Sequence, residues 1–168
     1  EAQNYNELNN NIFLNKLSNE IKTYNLAFAN RNKLDTLYIP DYRQGSALSN
    51  VGIALDWNKK EFQPEYKQSV IVSTIDSFIE NYQLKIPNYI KIDVDGLEAS
   101  IIEGGAETLS NKIFKSLLIE LNEELDEDMQ IINYLNGCGL KFSSKYQSPT
   151  TIDKFKSVYN YIFIKNNL

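Results

Sequence analysis

The stretch that decides the fold is NYIKIDVDGLEASIIEGG, residues 88–105. Its first part, Tyr89 to Val94, is rich in β-branched residues and ends at Asp95-Gly96, a pattern typical of a strand followed by a tight turn. After the turn, apolar residues recur at helical spacing: Leu97, Ile101 and Ile102. The stretch therefore predicts a strand, a turn and a helix, and Gly104-Gly105 predicts the end of that helix.

Two carboxylates stand where the predicted strand passes into the helix. In open α/β sheets, ligands bind just beyond the carboxyl ends of the strands, so Asp93 and Asp95 occupy the usual place of a functional site. Asp95 also suits the N-cap of the helix, with Glu98 at its third position, and we favour this local capping role for Asp95. Glu98 is open to both interpretations, because a carboxylate on the first helical turn can also face a cleft.

Lys91 and Asp93 share one face of the predicted strand, opposite Ile90 and Ile92. If helices covered both faces, this pair of charges would be costly unless the two groups were paired or solvated by a cleft. Two interpretations stay open: a structural ion pair on an amphipathic edge strand, or a pair that lines a ligand pocket.

The composition indicates one globular domain spanning residues 1–168, with 42% hydrophobic residues and a net charge of −5. Scattered basic residues argue against a nucleic-acid partner. No apolar run approaches the roughly 20 residues that span a bilayer, and the start of the sequence does not read as a signal peptide, so we expect a cytoplasmic protein. The single Cys138 excludes an internal disulfide, and the absence of histidine excludes Ser-His-Asp and Cys-His catalysis.

The segments before residue 88 predict a helix and several strands. Asn4 to Leu17 predicts a helix with one apolar face, formed by Tyr5, Leu8, Ile12 and Phe13. Strands are predicted at 21–29 and 34–39, and segments 45–51 and 68–72 can complete a small antiparallel patch.

Two further features precede the central stretch. A loop at 56–65 carries Trp57, whose ring serves either packing or a substrate cleft. Residues 73–76 resemble a capping box, with Asp76 at the third position of the helix that follows.

From residue 88 onward, strands and helices alternate, with further strands predicted at 116–121, 140–146 and 157–164. Such alternation implies a mostly parallel sheet, with the last pair of strands as an antiparallel hairpin at one edge. Glu120 and Asn122 follow the strand at 116–121, and together with Asp93 they offer the oxygen ligands that Mg²⁺ or Mn²⁺ prefers. We favour instead a role in capping the helix that starts near residue 126, and no metal site is predicted.

These motifs together resemble the FkbM family of S-adenosylmethionine-dependent methyltransferases. The resemblance covers nearly the whole chain and is carried by KIDVDGLE at 91–98 followed by Gly104, by Thr74-Ile75-Asp76, by Leu118-Ile119-Glu120 and by the asparagine-rich opening at 4–15. It implies an α/β fold with the Rossmann-like class I methyltransferase sheet, mostly parallel with a reversed C-terminal edge strand at 159–164. It also implies methyl transfer to a hydroxyl oxygen of a sugar, polyketide or related metabolite.

The same resemblance assigns site residues. Asp93 is expected beside the methionine part of S-adenosylmethionine or the reacting centre, with Lys91 next to it, and Asn25 and Ala27 are expected to approach the adenine. Either Asp93 or Lys91 is the candidate base for the proton of the acceptor hydroxyl. If a divalent metal is used instead, Asp93, Glu120 and Asn122 would hold it and lower the pKa of the acceptor.

Two parts of the family pattern are missing as complete units: the glycine-containing turn after the first strand, and the acid that binds the ribose. We therefore expect a domain that is truncated at its N-terminus and lacks its first strands. A second hypothesis is a catalytically silent α/β interaction or scaffold domain.

Overall fold

The computed structural model describes residues 1–149 and 151–165. Within these ranges the chain forms five α-helices, eight strands and a short 3₁₀ helix at Asp153–Phe155. In chain order, the elements are α1 (Ala2–Leu14), β1 (Ala27–Phe28), β2 (Lys33–Ile39), β3 (Asn50–Val51), β4 (Tyr66–Ser73), α2 (Ile75–Asn81), β5 (Tyr89–Ile92), α3 (Glu98–Glu103), α4 (Ala106–Ser110), β6 (Ser116–Asn122), α5 (Asp126–Gly137), β7 (Leu140–Tyr146) and β8 (Val158–Lys165).

The strands form two four-stranded sheets. The first has the order β1-β4-β2-β3, in which β1 runs parallel to β4, and β2 runs antiparallel to both β3 and β4. The second has the order β5-β6-β8-β7, in which β5 and β6 are parallel and β8 runs antiparallel to both of its neighbours. The fold is α/β, but both sheets are mixed, so the predicted mostly parallel Rossmann-like sheet is not confirmed.

The predicted C-terminal hairpin is confirmed, with one correction. β7 and β8 pair antiparallel at one edge of the second sheet. However, the reversed strand β8 lies between β6 and β7, and the edge strand is β7. β6 thus has a neighbouring strand at each of its two edges.

Three predictions for the first third of the chain are wrong in part. Only Ala27–Phe28 of the predicted strand 21–29 pairs with another strand, in register with β4. In segment 45–51, left-handed φ angles at Gly45 (82°) and Leu48 (69°) interrupt the extended backbone, so that only β3 forms. The predicted apolar face of α1 contributes only Ile12 to the core, whereas Phe13 is 79% exposed.

The main core lies against the second sheet. Its fully buried side chains include Phe114, Leu117, Ile119 and Phe163, and apolar residues of α3 and α5 pack onto them. A smaller core under the first sheet contains Ile39 and Val72. In the described residues, no helix is both long enough and apolar enough to cross a membrane.

The end of α3 lies very close to the main chain after β1. Gly104 caps α3 in an ordinary right-handed conformation, as the sequence predicts for the helix end. A Cβ atom at this position would lie 2.1 Å from the main-chain oxygen of Ala29. Glycine is therefore required here by contact with a neighbouring segment.

The predicted capping box is displaced by one residue: Thr74, not Ser73, is the N-cap of α2, and its hydroxyl accepts a hydrogen bond from the amide of Ser77 at 2.9 Å. Asp76 does not serve its own helix. Its carboxylate accepts the amides of Glu107 and Thr108, each at 2.9 Å, and thereby caps α4.

Candidate functional site

The turn between β5 and α3 places its carboxylates outside the helix. α3 begins at Glu98 with Leu97 in the N-cap position and without a side-chain cap, so the predicted capping role of Asp95 is wrong. Gly96, with φ of 100°, makes the tight turn possible. The Asp95 carboxylate instead receives a hydrogen bond from the main-chain amide of Leu48, and burial raises the pKa of Asp95.

A groove of about 390 Å³ opens beside the carboxyl ends of β1 and β5; we call it the β1–β5 groove. Its size falls within the range of roughly 300–1,000 Å³ that is usual for small-molecule sites. Its walls come from α1, β1, the loop before β3 and the turn after β5, and the lining residues include Asn4, Leu26, Ala27, Phe28, Leu37, Ser46, Leu48, Asp93, Asp95 and Ile101.

Only two of the four predicted site residues line the β1–β5 groove. Asp93 and Ala27 line the β1–β5 groove. Asn25 is exposed and does not line it, and neither does Lys91. The Lys91 ammonium lies 2.7 Å from the Asp93 carboxylate, with 61% and 43% of the two side chains exposed.

The ion pair settles the protonation of Lys91 in this arrangement. The hydrogen bond to Asp93 raises the pKa of Lys91 above its ordinary value. Lys91 therefore keeps its proton at neutral pH, and it is suited to orienting the Asp93 carboxylate rather than to accepting a proton. In the described residues β5 pairs only with β6, and Asp93 lines a groove, so both interpretations of the pair stay open.

A second groove, of about 370 Å³, lies beyond the carboxyl end of β6; we call it the β6–β8 groove. Its lining combines carboxylates, hydroxyls and apolar groups: Leu48, Asp95, Glu120, Ser148, Thr151, Ile152, Phe155, Val158 and Asn160. Leu48 and Asp95 line both grooves. Burial, and then the charges of Asp93 and Asp95, raise the pKa of Glu120.

A small cavity of about 30 Å³ adjoins the β6–β8 groove; we call it the inner cavity. Both spaces share four lining residues: Asp95, Glu120, Phe155 and Val158. The inner cavity is also lined by Trp57, Glu98, Asn122 and Asp128.

Two acids of the inner cavity, Glu98 and Asp128, are strongly buried. Glu98 is 4% exposed, and burial raises its pKa to about 8, although the amides of Glu98 and Gly96 favour the ionised form. Asp128 is also buried, which raises its pKa, and it accepts the amide of Asn122 at 2.8 Å. The Glu98 carboxylate therefore accepts hydrogen bonds from main-chain amides of the turn and also lines the cavity.

Asn122, one of the three oxygen ligands considered for a divalent metal, has other contacts. The side-chain oxygen of Asn122 accepts a hydrogen bond from the amide of Glu124 at 3.1 Å. The main-chain amide of Asn122 donates to the carboxylate of Asp128 in α5. The predicted role of Glu120 and Asn122 in capping α5 is wrong, because both residues lie within β6 and α5 begins at Asp126 with Leu125 in the N-cap position and no side-chain cap. Among residues 1–149 and 151–165, no three carboxylate, histidine or cysteine side chains are arranged to hold a metal ion.

Several residues that shape the site carry no sequence signal. Leu48 lines both grooves from a left-handed conformation that is uncommon for leucine. The buried Asn50 donates from Nδ2 to the main-chain oxygens of Leu55 at 2.9 Å and Asp95 at 3.1 Å. Lys59 donates to the Gly96 oxygen at 3.0 Å. These contacts join distant segments, and no local pattern predicts them.

Comparisons with known proteins agree with this architecture. A family model described as the methyltransferase FkbM domain matches residues 1–142. A crystal structure of methyltransferase FkbM from Methylobacillus flagellatus KT shares the fold, with a TM-score of 0.57 and 14% identity. The match covers 95% of this chain and 33% of that one, so the chain spans about a third of the length of the solved protein. None of the curated proteins matches this chain. Because the family model covers most of the sequence, the chain belongs to the FkbM methyltransferase domain family.

Proposed function

We propose that the chain forms part of the site of an S-adenosylmethionine-dependent O-methyltransferase that acts on a hydroxyl of a sugar, polyketide or related metabolite. The observation that carries the proposal is the pair of grooves that meet at Asp95. A transfer reaction needs two ligands side by side, and the carboxyl ends of β5 and β6 offer two adjoining spaces.

The β1–β5 groove fits the cofactor chemically. Leu26, Phe28 and Ile101 give it apolar walls suited to the adenosine part. Asp93 and Asp95 give it an acidic end suited to the positive charges of the sulfonium and the ammonium. When bound, S-adenosylmethionine supplies an activated methyl group. Ala27 is expected on the adenine side, and Asn25 would have to reach the cofactor from outside the groove.

Asp93 is the proposed proton acceptor for the acceptor hydroxyl. Its carboxylate lines the β1–β5 groove and is held by Lys91, so the ion pair fixes its orientation. Methyl transfer from a sulfonium depends on in-line approach of the acceptor oxygen, and much of the rate comes from positioning. Lys91 would orient the carboxylate, and Asp93 would align the acceptor and take its proton.

Isothermal titration of the chain with S-adenosylhomocysteine tests the cofactor site. We expect saturable binding by the natural sequence and about tenfold weaker binding by Asp93→Asn, because the variant removes a negative charge from the groove. Glu107→Gln removes an exposed carboxylate on α4, outside both grooves, and should bind like the natural chain. Absence of binding by the folded natural chain would contradict the cofactor assignment.

A second candidate function is a catalytically silent interaction domain, and the free edge of β5 favours it. In the described part of the chain β5 pairs only with β6. An apolar groove of about 440 Å³, lined by Phe28, Phe78 and Ile90 among others, runs beside this edge. Open strand edges accept further strands. A chain that unfolds cooperatively but does not bind S-adenosylhomocysteine would favour this candidate.

The same free edge supports a proposal about domain organisation. We propose that further strands complete the second sheet beside β5 in the whole protein, and that they strengthen the binding of the cofactor. Titration of the longer protein alongside the 168-residue chain measures their contribution, and equal affinities would contradict it.

A further inference from the structure

Two residues that line the inner cavity carry a buried N–H group without a hydrogen-bond partner among the described residues: Trp57 at Nε1 and Asn122 at Nδ2. Asn122 is 4% exposed, and its Oδ1 already accepts the amide of Glu124, so Nδ2 is left as the donor. Buried donors without partners destabilise a fold, and native proteins retain them mainly where a ligand or an ordered water completes them.

The acceptors on the cavity wall restrict what the ligand can be. Asp95 and Glu120 line the same cavity as the two free donors. A hydroxyl group matches this arrangement, because its oxygen accepts from N–H groups while its proton is donated to a carboxylate. Four acids around the cavity, Asp95, Glu98, Glu120 and Asp128, disfavour an anion, and the two free donors disfavour a cation.

The position of the cavity indicates which hydroxyl it takes. It forms the inner end of the β6–β8 groove, and a volume of about 30 Å³ suits one hydroxyl-sized group. The rings of Trp57 and Phe155, 4.8 Å apart, form an apolar wall beside it. Asp93, the proposed proton acceptor, does not line the cavity, so the hydroxyl held here is not the one that reacts.

We propose that the inner cavity binds a second, non-reacting hydroxyl of an uncharged, polyhydroxylated acceptor, with Trp57 and Asn122 donating hydrogen bonds to its oxygen. Trp57 and Asn122 are then positioning residues that select such acceptors. The identity of this ligand as the methyl acceptor rests on the proposed function, but its binding can be measured without methyl transfer.

The single tryptophan provides the readout, because the ¹⁵N-labelled chain gives one indole N–H resonance. We expect methyl α-D-glucopyranoside and myo-inositol to shift this resonance saturably as Nε1 acquires a hydrogen bond. Glucose 6-phosphate should bind at least about tenfold more weakly, because the cavity is surrounded by carboxylates.

Two variants test the donors separately. Asn122→Asp keeps an oxygen for the Glu124 amide and removes the Nδ2 donor, and it should weaken polyol binding about tenfold. Asn133→Asp, on the exposed side of α5, adds the same charge and should leave the affinity unchanged. Trp57→Phe keeps a ring but loses Nε1, and calorimetry should show a similar loss at unchanged thermal stability.

The outcomes separate this proposal from the methyltransferase proposal. An indole resonance that does not respond to either neutral polyol overturns the hydroxyl site and indicates an ordered water there. Equal affinity for glucose 6-phosphate, or unchanged affinity in Asn122→Asp, also overturns it. Polyol binding by a chain that does not bind S-adenosylhomocysteine supports the hydroxyl site while contradicting the cofactor assignment.

Discussion

The hydroxyl of Thr108, on α4, donates a 2.6 Å hydrogen bond to the carboxylate of Asp76, on α2. The same carboxylate accepts the amides of Glu107 and Thr108, so one side chain holds three donors of a helix that begins 30 residues later in the chain. Asp76 thus belongs to α2 in the sequence, but its carboxylate caps α4.

Asp76→Ala should lower the free energy of unfolding by about 2–3 kcal/mol, because it leaves the first amides of α4 without an acceptor. Urea unfolding followed by Trp57 fluorescence measures the change. Glu80→Ala removes an exposed carboxylate from the same helix and should change stability by less than about 0.5 kcal/mol. Equal effects of the two substitutions would show that Asp76 does not cap α4.

Gly104→Ala should destabilise the chain by about 1–3 kcal/mol, because its Cβ would meet the Ala29 oxygen at 2.1 Å and force α3 away from β1. Gly137→Ala is the matched control, since no atom lies within 4 Å of a Cβ at the end of α5. The control should be neutral or stabilising by up to about 1 kcal/mol. Thermal unfolding of both variants measures the two changes in stability. A Gly104→Ala variant as stable as the natural chain would show that the close contact with Ala29 relaxes without cost.

Lys91→Met should change the free energy of unfolding by less than about 1 kcal/mol, because the Lys91–Asp93 pair is largely exposed. Affinity for S-adenosylhomocysteine is the more sensitive readout, since Lys91 is proposed to orient Asp93. A double-mutant cycle with Asp93→Asn should show coupling in the affinity but hardly any in stability. Coupling in stability alone would assign the pair a purely structural role.

Stability should fall as the pH rises from about 5 to about 8, because the pKa of Glu98 is raised from 4.5 to about 8 on folding. In this window the folded state binds the proton and the unfolded state does not, so the slope is negative and at most about 1.4 kcal/mol per pH unit. Asp128 and Asp95 face Glu98, and Lys59 lies near Asp128.

Glu98→Gln should flatten this part of the pH profile, because it removes the group whose proton binding differs between the two states. Glu107→Gln, on an exposed position, should leave the slope unchanged. Urea unfolding at several pH values between about 5 and 8 gives both slopes. A Glu98→Gln profile that matches the natural chain would show that Glu98 is ionised in the folded state.

Much of the strand, turn and helix at residues 88–105 could be predicted from the sequence, because these elements are determined by residues that are adjacent in the chain. The strand, the turn at Gly96 and the end of α3 at Gly104 follow from residues that are adjacent in the chain. The carboxyl-end position of Asp93 follows in the same way. The cap by Asp95 was wrong because α3 starts two residues later than a cap there requires, which frees the carboxylate for the Leu48 amide.

The rest of the site could not be predicted, because it is made by contacts between distant segments. Asn50 in β3 and Lys59 in the loop after it bind the main chain of the 95–96 turn from some 40 residues earlier in the chain. Leu48 lines both grooves through a backbone conformation that leucine seldom adopts. The arrangement of the sheets depends likewise on which strand enters between two others, and hydrophobic periodicity does not encode this.

The interior position of β8 has a consequence for how the chain folds. β8 follows β7 in sequence but lies between β6 and β7, so β7 has no strand to pair with until β8 docks. The β7–β8 hairpin closes only the loop between its two strands, but the entropy of closing the longer segment from β6 to β8 must be overcome before the β6–β8 pairing contributes. We therefore expect β8 docking to limit the folding rate, and pulsed hydrogen exchange should show the amides of β7 and β8 gaining protection together.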